Sequence, residues 1–156
     1  MAAKRSSKST RRRRPLRPTP KPPPTIAKSK EGPIPPEDVR LERTRGTPGR
    51  GDGPGGEKWR IEASGQRAGH VYINVIDESP LGTHASIQIF LNKKSQGRQI
   101  GRGAYRAACE KSQHDTIYAH MSKLNHASRR AAEEAGFVDV SPPGHTQLIM
   151  RRSRKL

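Results

Sequence analysis

The sequence predicts an α+β domain: a mixed, mostly antiparallel sheet of about five strands with two helices, preceded by a disordered basic tail. Three observations predict it. Apolar residues are scarce before residue 59 and plentiful after it. Three β-rich runs follow one another with short connections. Then strand-like and helix-like runs alternate to the end of the chain.

The division into tail and domain rests on composition. Of 156 residues, 31 are Lys or Arg and 14 are Asp or Glu, a formal net charge of +17. Residues 1–30 hold eleven of the cations and no carboxylate, and eleven of the fourteen prolines precede residue 59. Residues 1–58 have nine apolar side chains against 37 in residues 59–156. The first part cannot bury enough surface to offset the entropy of ordering it. The second can build one modest core. The expected boundaries are therefore a Pro/Gly-rich tail and linker over 1–57, a domain over 58–152, and a basic C-terminal tail over 153–156.

The tail opens with the arginine block Arg11–Arg14, followed by a proline-rich stretch that favours extended polyproline II. Its chemistry suits salt-sensitive, sequence-independent contact with nucleic acid or another polyanion. No aromatic residue is interleaved, so the tail offers nothing for bases to stack on. Residues 35–46 carry helix punctuation, with Pro36, Glu37 and Asp38 early and Gly46 late, and predict a short, marginal helix. Six glycines between 46 and 57 read as a flexible linker.

In the domain, Trp59–Ala63 alternates as a half-buried strand, and the run over 70–77 is rich in β-branched and aromatic residues. His84–Leu91 is a third strand, in meander order. The stretch Gln96-Gly97-Arg98-Gln99-Ile100-Gly101-Arg102-Gly103-Ala104 comes next. It opens a helix to about Ser112, with Ile100, Ala104, Ala107 and Ala108 at helical spacing. A strand, a glycine- and cation-rich turn and a helix N-terminus together suit phosphate: glycine admits close approach, and the first turn exposes free N–H groups. Thr116–Met121 is a fourth strand, parallel to the third by the crossover rule. A second helix runs over 126–135, with Asn125 as cap, Gly136 as stop and Phe137 packing back. Gln147–Met150 is the last strand.

One cysteine, Cys109, rules out an internal disulfide and fits a reducing compartment. No apolar run approaches the ~20 residues of a membrane span. The N-terminus is cationic but lacks an apolar signal-peptide segment. A cytoplasmic protein without a membrane partner is the expectation.

Two patterns on these elements resemble the GNAT acyltransferase superfamily. Gln96 to Ala104 resembles its motif A, Gln/Arg-x-x-Gly-x-Gly/Ala, in two registers: from Gln96, the preferred one, Gln99 stands where glycine is usual, and from Arg98 both Gly101 and Gly103 match. Asn125 to Gly136-Phe137 resembles its motif B. The resemblance spans about 59–151 and implies acetyl-CoA, or another acyl-CoA, as donor, an amine acceptor, and direct transfer without a metal. It implies that the backbone of Ile89, Phe90 and Leu91 on a splayed strand pairs with the pantetheine arm. The turn Gln96, Gly97, Arg98, Gln99, Ile100, Gly101 and Arg102 would hold the pyrophosphate. Asn125 would reach the pantetheine or simply cap its helix.

Two departures stand out. The tyrosine that often serves as general acid in the second helix falls on Ala132. The family elements that shape the acceptor site are not visible in residues 1–58, which leaves that side open, built from residues 35–46, or completed by a second subunit in a homodimer. A base must take the ammonium proton from an amine. Glu78 and His84 are candidates near the third strand and His120 on the fourth. Cys109 reads as a small packed residue, and the histidines lack zinc-ligand spacing. The alternative to an N-acetyltransferase is a non-enzymatic nucleic-acid-binding or virion- or nucleoid-associated protein on the same fold.

Overall fold

A computed structural model describes residues 32–154. The basic tail over 1–30 and the last two residues lie outside them. Seven strands form one sheet in the order β1-β2-β3-β4-β5-β7-β6. They are β1 Val39–Thr44, β2 Glu57–Ala63, β3 Gln66–Glu78, β4 Gly82–Leu91, β5 Thr116–Ser122, β6 Val138–Asp139 and β7 Gln147–Ser153. Helix α1 spans Ile100–Lys111 between β4 and β5, and α2 spans His126–Glu134 after β5. The five expected strands and both helices are present. β2, β3 and β4 form the antiparallel meander, and β5 runs parallel to β4.

Two strands were not expected. β6 is a two-residue pairing along β7. β1 replaces the short helix expected over 35–46: a single 3-10 turn, Pro36–Asp38, passes directly into the strand. The reason lies in the spacing. Val39 and Leu41 are two apart, the period of a strand, and both are buried between exposed Arg40 and Glu42. β1 pairs with β2 along its whole length, from Val39 opposite Ala63 to Thr44 opposite Lys58.

The folded unit therefore begins before Lys58, and the expected boundary at 57/58 is corrected. Ile34 is also in the core, and its N–H donates to the Arg98 carbonyl. Glycine at 103 lets α1 approach this segment, since a Cβ there would lie 3.0–3.1 Å from Val39 and the Pro36 backbone.

The glycine-rich stretch over 46–57 is likewise not a free linker. Gly49, Gly51, Gly53 and Gly55 take positive φ angles of 72–79°, which fold the chain into successive turns. Asn74 of β3 holds this strap on the sheet: the Gly51 N–H donates to its Oδ1 at 2.7 Å, and its Nδ2 donates to the Gly49 carbonyl at 3.0 Å. At the other end, β7 continues to Ser153, and Arg154 donates to the carbonyls of Cys109 and His114 at 3.2 Å and to that of Ser112. Arg154 ties down the end of α1 and is not part of a free C-terminal tail.

Alternation assigns the two faces of the sheet. Val39, Leu41, Trp59, Ile61, Val71, Ile73, Ile87 and Ala119 form one apolar face, and α1 and α2 pack on it with Ile100, Ala104, Ala108, Ala132 and Phe137. The opposite face carries Lys58, Arg60, His70, Tyr72, His84, Phe90, Tyr118 and His120. Among the described residues both α-helices lie on the first face.

Candidate functional site

β4 and β5 diverge. Among the described residues their parallel ladder consists of the pair Ser86 and Tyr118. Beyond it, Ile87 to Leu91 pair with β3 on one side only. The carboxyl ends of two parallel strands, each followed by a helix, are where α/β sheets open ligand crevices. A groove of about 750 Å³ lies there, within the range of small-molecule clefts, about 300–1,000 Å³.

Nine of the residues expected to bind a cofactor line this groove. Ile89 and Leu91 come from β4, and Gln96, Gly97 and Gln99 from the turn. Ile100, Gly101 and Arg102 come from the first turn of α1, and Asn125 from the start of α2. Two others point elsewhere. The Phe90 side chain lies on the opposite face of the sheet, as alternation demands, and is 54% exposed. The side chain of Arg98 donates from Nε to the Gly32 carbonyl at 3.4 Å, anchoring the start of the described chain to the turn.

The local chemistry of the turn suits an anion. Gln99, the N-cap of α1, sits at φ 60°, ψ 25°, the left-handed conformation that glycine adopts most cheaply. The backbone thus makes a left-handed bend here with a side chain carried along. Gln99 supplies no side-chain cap to α1, so the first N–H groups of the helix remain available at the groove. Gly97 is also left-handed, φ 76°, with open space where a Cβ would stand. Arg102 reaches Glu134 of α2 at 3.6 Å, yet its Nε–H is buried and has no hydrogen-bond partner among the described residues. An unpaired buried donor beside open N–H groups is a fit for phosphate oxygens.

α2 forms the other wall. Asn125 Oδ1 accepts the Ser128 N–H at 3.2 Å, an N-cap, worth ~1 kcal/mol. The cap uses only the oxygen, leaving the amide NH2 as a donor at the groove. Gly136 at φ 94° ends the helix, and Phe137 turns back into the core at 3% exposure. The two helices touch through small residues: a Cβ on Gly101 would lie 3.3 Å from Ala131 Cβ.

Several groove residues were not singled out from sequence. Tyr105 of α1 is buried, and burial pushes its phenol up to about 12 while the hydroxyl pairs with Ser128. Ser128, Ala131 and Glu134 of α2 recur every three residues on the face turned to α1, a helical spacing that could have flagged them. Ala132 is fully buried and packs in the core, so no acid occupies that position.

On the other face, at the fork between β4 and β5, two histidines meet. His84 Nε2 lies 2.8 Å from His120 Nε2. His84 Nδ1 lies 2.7 Å from the Gly82 carbonyl, which can only accept, so Nδ1 carries the proton. In that tautomer His84 Nε2 accepts from His120 Nε2–H, which leaves His120 Nδ1 as a proton acceptor. Burial lowers the pKa of His120, with His84 and His145 adding to the effect and Glu78 opposing it. His84 is 8% exposed and braced edge-on by Tyr118. Glu78 is exposed at the end of β3. Cys109 is buried away from both places, and burial raises its thiol to about 11.

A family model for the acetyltransferase (GNAT) domain matches residues 26–138. The chain belongs to the GNAT superfamily. A search of curated proteins finds no match. Solved structures share the GNAT fold at low identity. Aminoglycoside acetyltransferase AAC(6')-Ib, in complex with coenzyme A and kanamycin, is 21% identical over 64% of this chain and 67% of that one, with a TM-score of 0.53. A spermidine N-acetyltransferase from Vibrio cholerae is 20% identical over 64% and 65%, with a TM-score of 0.51. The same enzyme AAC(6')-Ib bound to paromomycin and acetyl-CoA aligns over 66% of its length, again at TM-score 0.53. The match thus spans about two thirds of these chains. The family match begins at residue 26, ahead of β1, in agreement with the earlier start of the folded unit.

Proposed function

We propose that this protein is an N-acetyltransferase that uses acetyl-CoA and delivers the acetyl group directly to an amine. The observation that carries the reading is the groove at the diverging ends of β4 and β5, with a left-handed turn and Arg102, whose buried Nε–H is unpaired among the described residues, in its lining. Acetyl-CoA supplies an acetyl group already activated as a thioester.

The residues divide the work. N–H groups of Gly97 to Arg102 and the Arg102 guanidinium bind the pyrophosphate. The β5-facing edge of β4 beyond Ser86 lies open to the amide-bearing arm in the manner of an added strand, with the Leu91 carbonyl accepting from Gln96 Nε2 at 3.3 Å. The Asn125 amide holds the arm from the α2 side.

An incoming amine is an ammonium at neutral pH and has no lone pair until it loses a proton. His120 Nδ1, at the fork on the opposite face, accepts that proton. His84 positions the ring and shares the resulting charge through the Nε2–Nε2 hydrogen bond. Because its pKa is lowered, His120 is neutral and ready to accept at pH 7. His84 therefore acts through His120, and Glu78 acts by its charge alone.

Cofactor-dependent thiol release in the presence of amines tests the reading: small polyamines, aminoglycosides and a peptide N-terminus form the panel. Release with at least one amine, lost in His120→Asn, supports it. Ala132 favours the second reading, a non-catalytic member of the family. Acetyl-CoA binding without thiol release for any amine would favour that reading over an enzyme.

A further inference from the structure

The helix-free face of the sheet carries, apart from the His84–His120 pair, a second arrangement of side chains. Cross-strand neighbours stand in rows there. Glu42, Arg60, His70 and Phe90 lie opposite one another across β1 to β4. The next row is Thr44, Lys58, Tyr72 and Gln88. The Tyr72 and Phe90 rings stack at 5.2 Å between centroids and 28° between planes. Tyr72 is 6% exposed beneath this stack, while Phe90 keeps 54% of its surface in solvent. The Phe90 ring is thus backed by Tyr72 on one side and open to solvent on the other.

Its surroundings are cationic. Lys58, Arg67, Arg60 and Arg50 all act on His70 and hold its pKa down, after burial itself. Arg50 also acts on Tyr72 from the strap that crosses this face. Two carboxylates are present, Glu42 and Glu62, and both engage Arg60. They fix that guanidinium and leave Lys58, Arg67 and Arg50 as a positive border around the ring pair. His70, held neutral, adds a second flat uncharged ring beside Phe90 in the same row.

We propose that this face binds single-stranded nucleic acid, with a base stacked on Phe90 and the backbone tracked by Lys58, Arg67 and Arg50. The face and the strand are complementary in shape and charge. Single strands are held by aromatic platforms in positively charged grooves, and stacking tolerates any base. A duplex hides its base faces, so it would meet only the cations. The partner's negative charge matches the net charge of +17.

The test uses the full chain and a fluorescent oligouridylate, with a duplex of equal length as control, at about 0.15 M salt. Phe90→Ala should weaken oligouridylate binding by about 5- to 100-fold and leave duplex binding unchanged. Lys58→Ala should weaken both and flatten the salt dependence of each. Unchanged oligouridylate affinity in Phe90→Ala, or equal losses for strand and duplex, would overturn the proposal. So would binding of anionic lipid vesicles, but not of oligouridylate, that depends on Phe90. Photocrosslinking with 4-thiouridine reads the site directly even where the N-terminal segment dominates affinity. Crosslinks should fall in β3 and β4, and crosslinks confined to residues 1–30 would contradict the assignment. Acetyl-CoA binding is measured in parallel and should be equal in wild type and Lys58→Ala, a residue outside the groove, so failure here leaves the acetyltransferase reading standing.

Discussion

Gly101→Asp separates the charge of the groove from its shape. Gly101 is the second residue of α1, lines the groove, and has helical rather than left-handed backbone. Aspartate is therefore conformationally acceptable. Its Cβ would lie 3.3 Å from Ala131 Cβ, a crowding relieved by a shift of a few tenths of an ångström. A carboxylate in the first turn of a helix is itself favourable by about 0.3–1 kcal/mol. Replacing glycine inside a helix gains a similar amount. The fold should hold, with the unfolding midpoint changed by only a few degrees.

Binding should not hold. The carboxylate would stand beside the doubly charged pyrophosphate. Unit charges 6 Å apart repel by about 1.4 kcal/mol at an intermediate dielectric of about 40, hence about 3 kcal/mol for two. That corresponds to a loss of roughly 100-fold in affinity. Gly101→Asn, of the same shape but neutral, should lose less than about tenfold. Titration calorimetry of both variants with acetyl-CoA, with thermal unfolding as control, makes the comparison. Equal losses in Asp and Asn would refute the electrostatic argument and leave only crowding against Ala131. Unchanged binding in Asp would show that the pyrophosphate is held elsewhere.

Three further predictions follow from the same geometry. His120→Asn should abolish the rising limb of kcat/KM with pH, whose midpoint in the wild type should fall below 6.5 because burial favours neutral His120; a pH–rate profile reads it, and an unchanged limb would reassign the base. Ala132→Tyr should lower stability by about 1–3 kcal/mol through overpacking, with no gain in kcat, because position 132 is sealed in the core; chemical denaturation and steady-state rates check it. Arg154→Ala should cost about 1–3 kcal/mol, since it removes the donor that closes the carbonyls of Cys109, Ser112 and His114; a denaturant midpoint equal to wild type would show that the end of α1 is held without it.

What the sequence made legible was local chemistry. The turn at 96–104 and the capped helix at 125–137 announce themselves through glycine, asparagine and apolar spacing within a dozen residues, and the structure brings them to one groove. The meander is legible because its strands are long and β-branched. β1 was hidden because it offers only two alternating apolar residues, Val39 and Leu41, and draws its stability from β2 and from α1 at Gly103. The strap over 46–57 looked like a linker because glycine signals freedom in sequence, whereas here its positive φ angles encode specific turns held by Asn74. His84 could be named as a candidate, but its partnership with His120, 36 residues away, is a product of sheet topology. Gln99 shows the opposite case: a non-glycine residue in the motif whose backbone nonetheless adopts the left-handed conformation that glycine takes most readily.

The groove between the diverging strands is proposed to bind acetyl-CoA. Titration of the full chain with acetyl-CoA, and with ATP as an anionic control, at about 0.15 M salt tests it most directly, since that ionic strength damps the contribution of surface charge. A saturable single site for acetyl-CoA, at least tenfold tighter than for ATP, corresponding to about 1.4 kcal/mol, is the predicted result. Equal affinity for the two would reduce the site to a generic anion contact of a cationic protein and contradict the account.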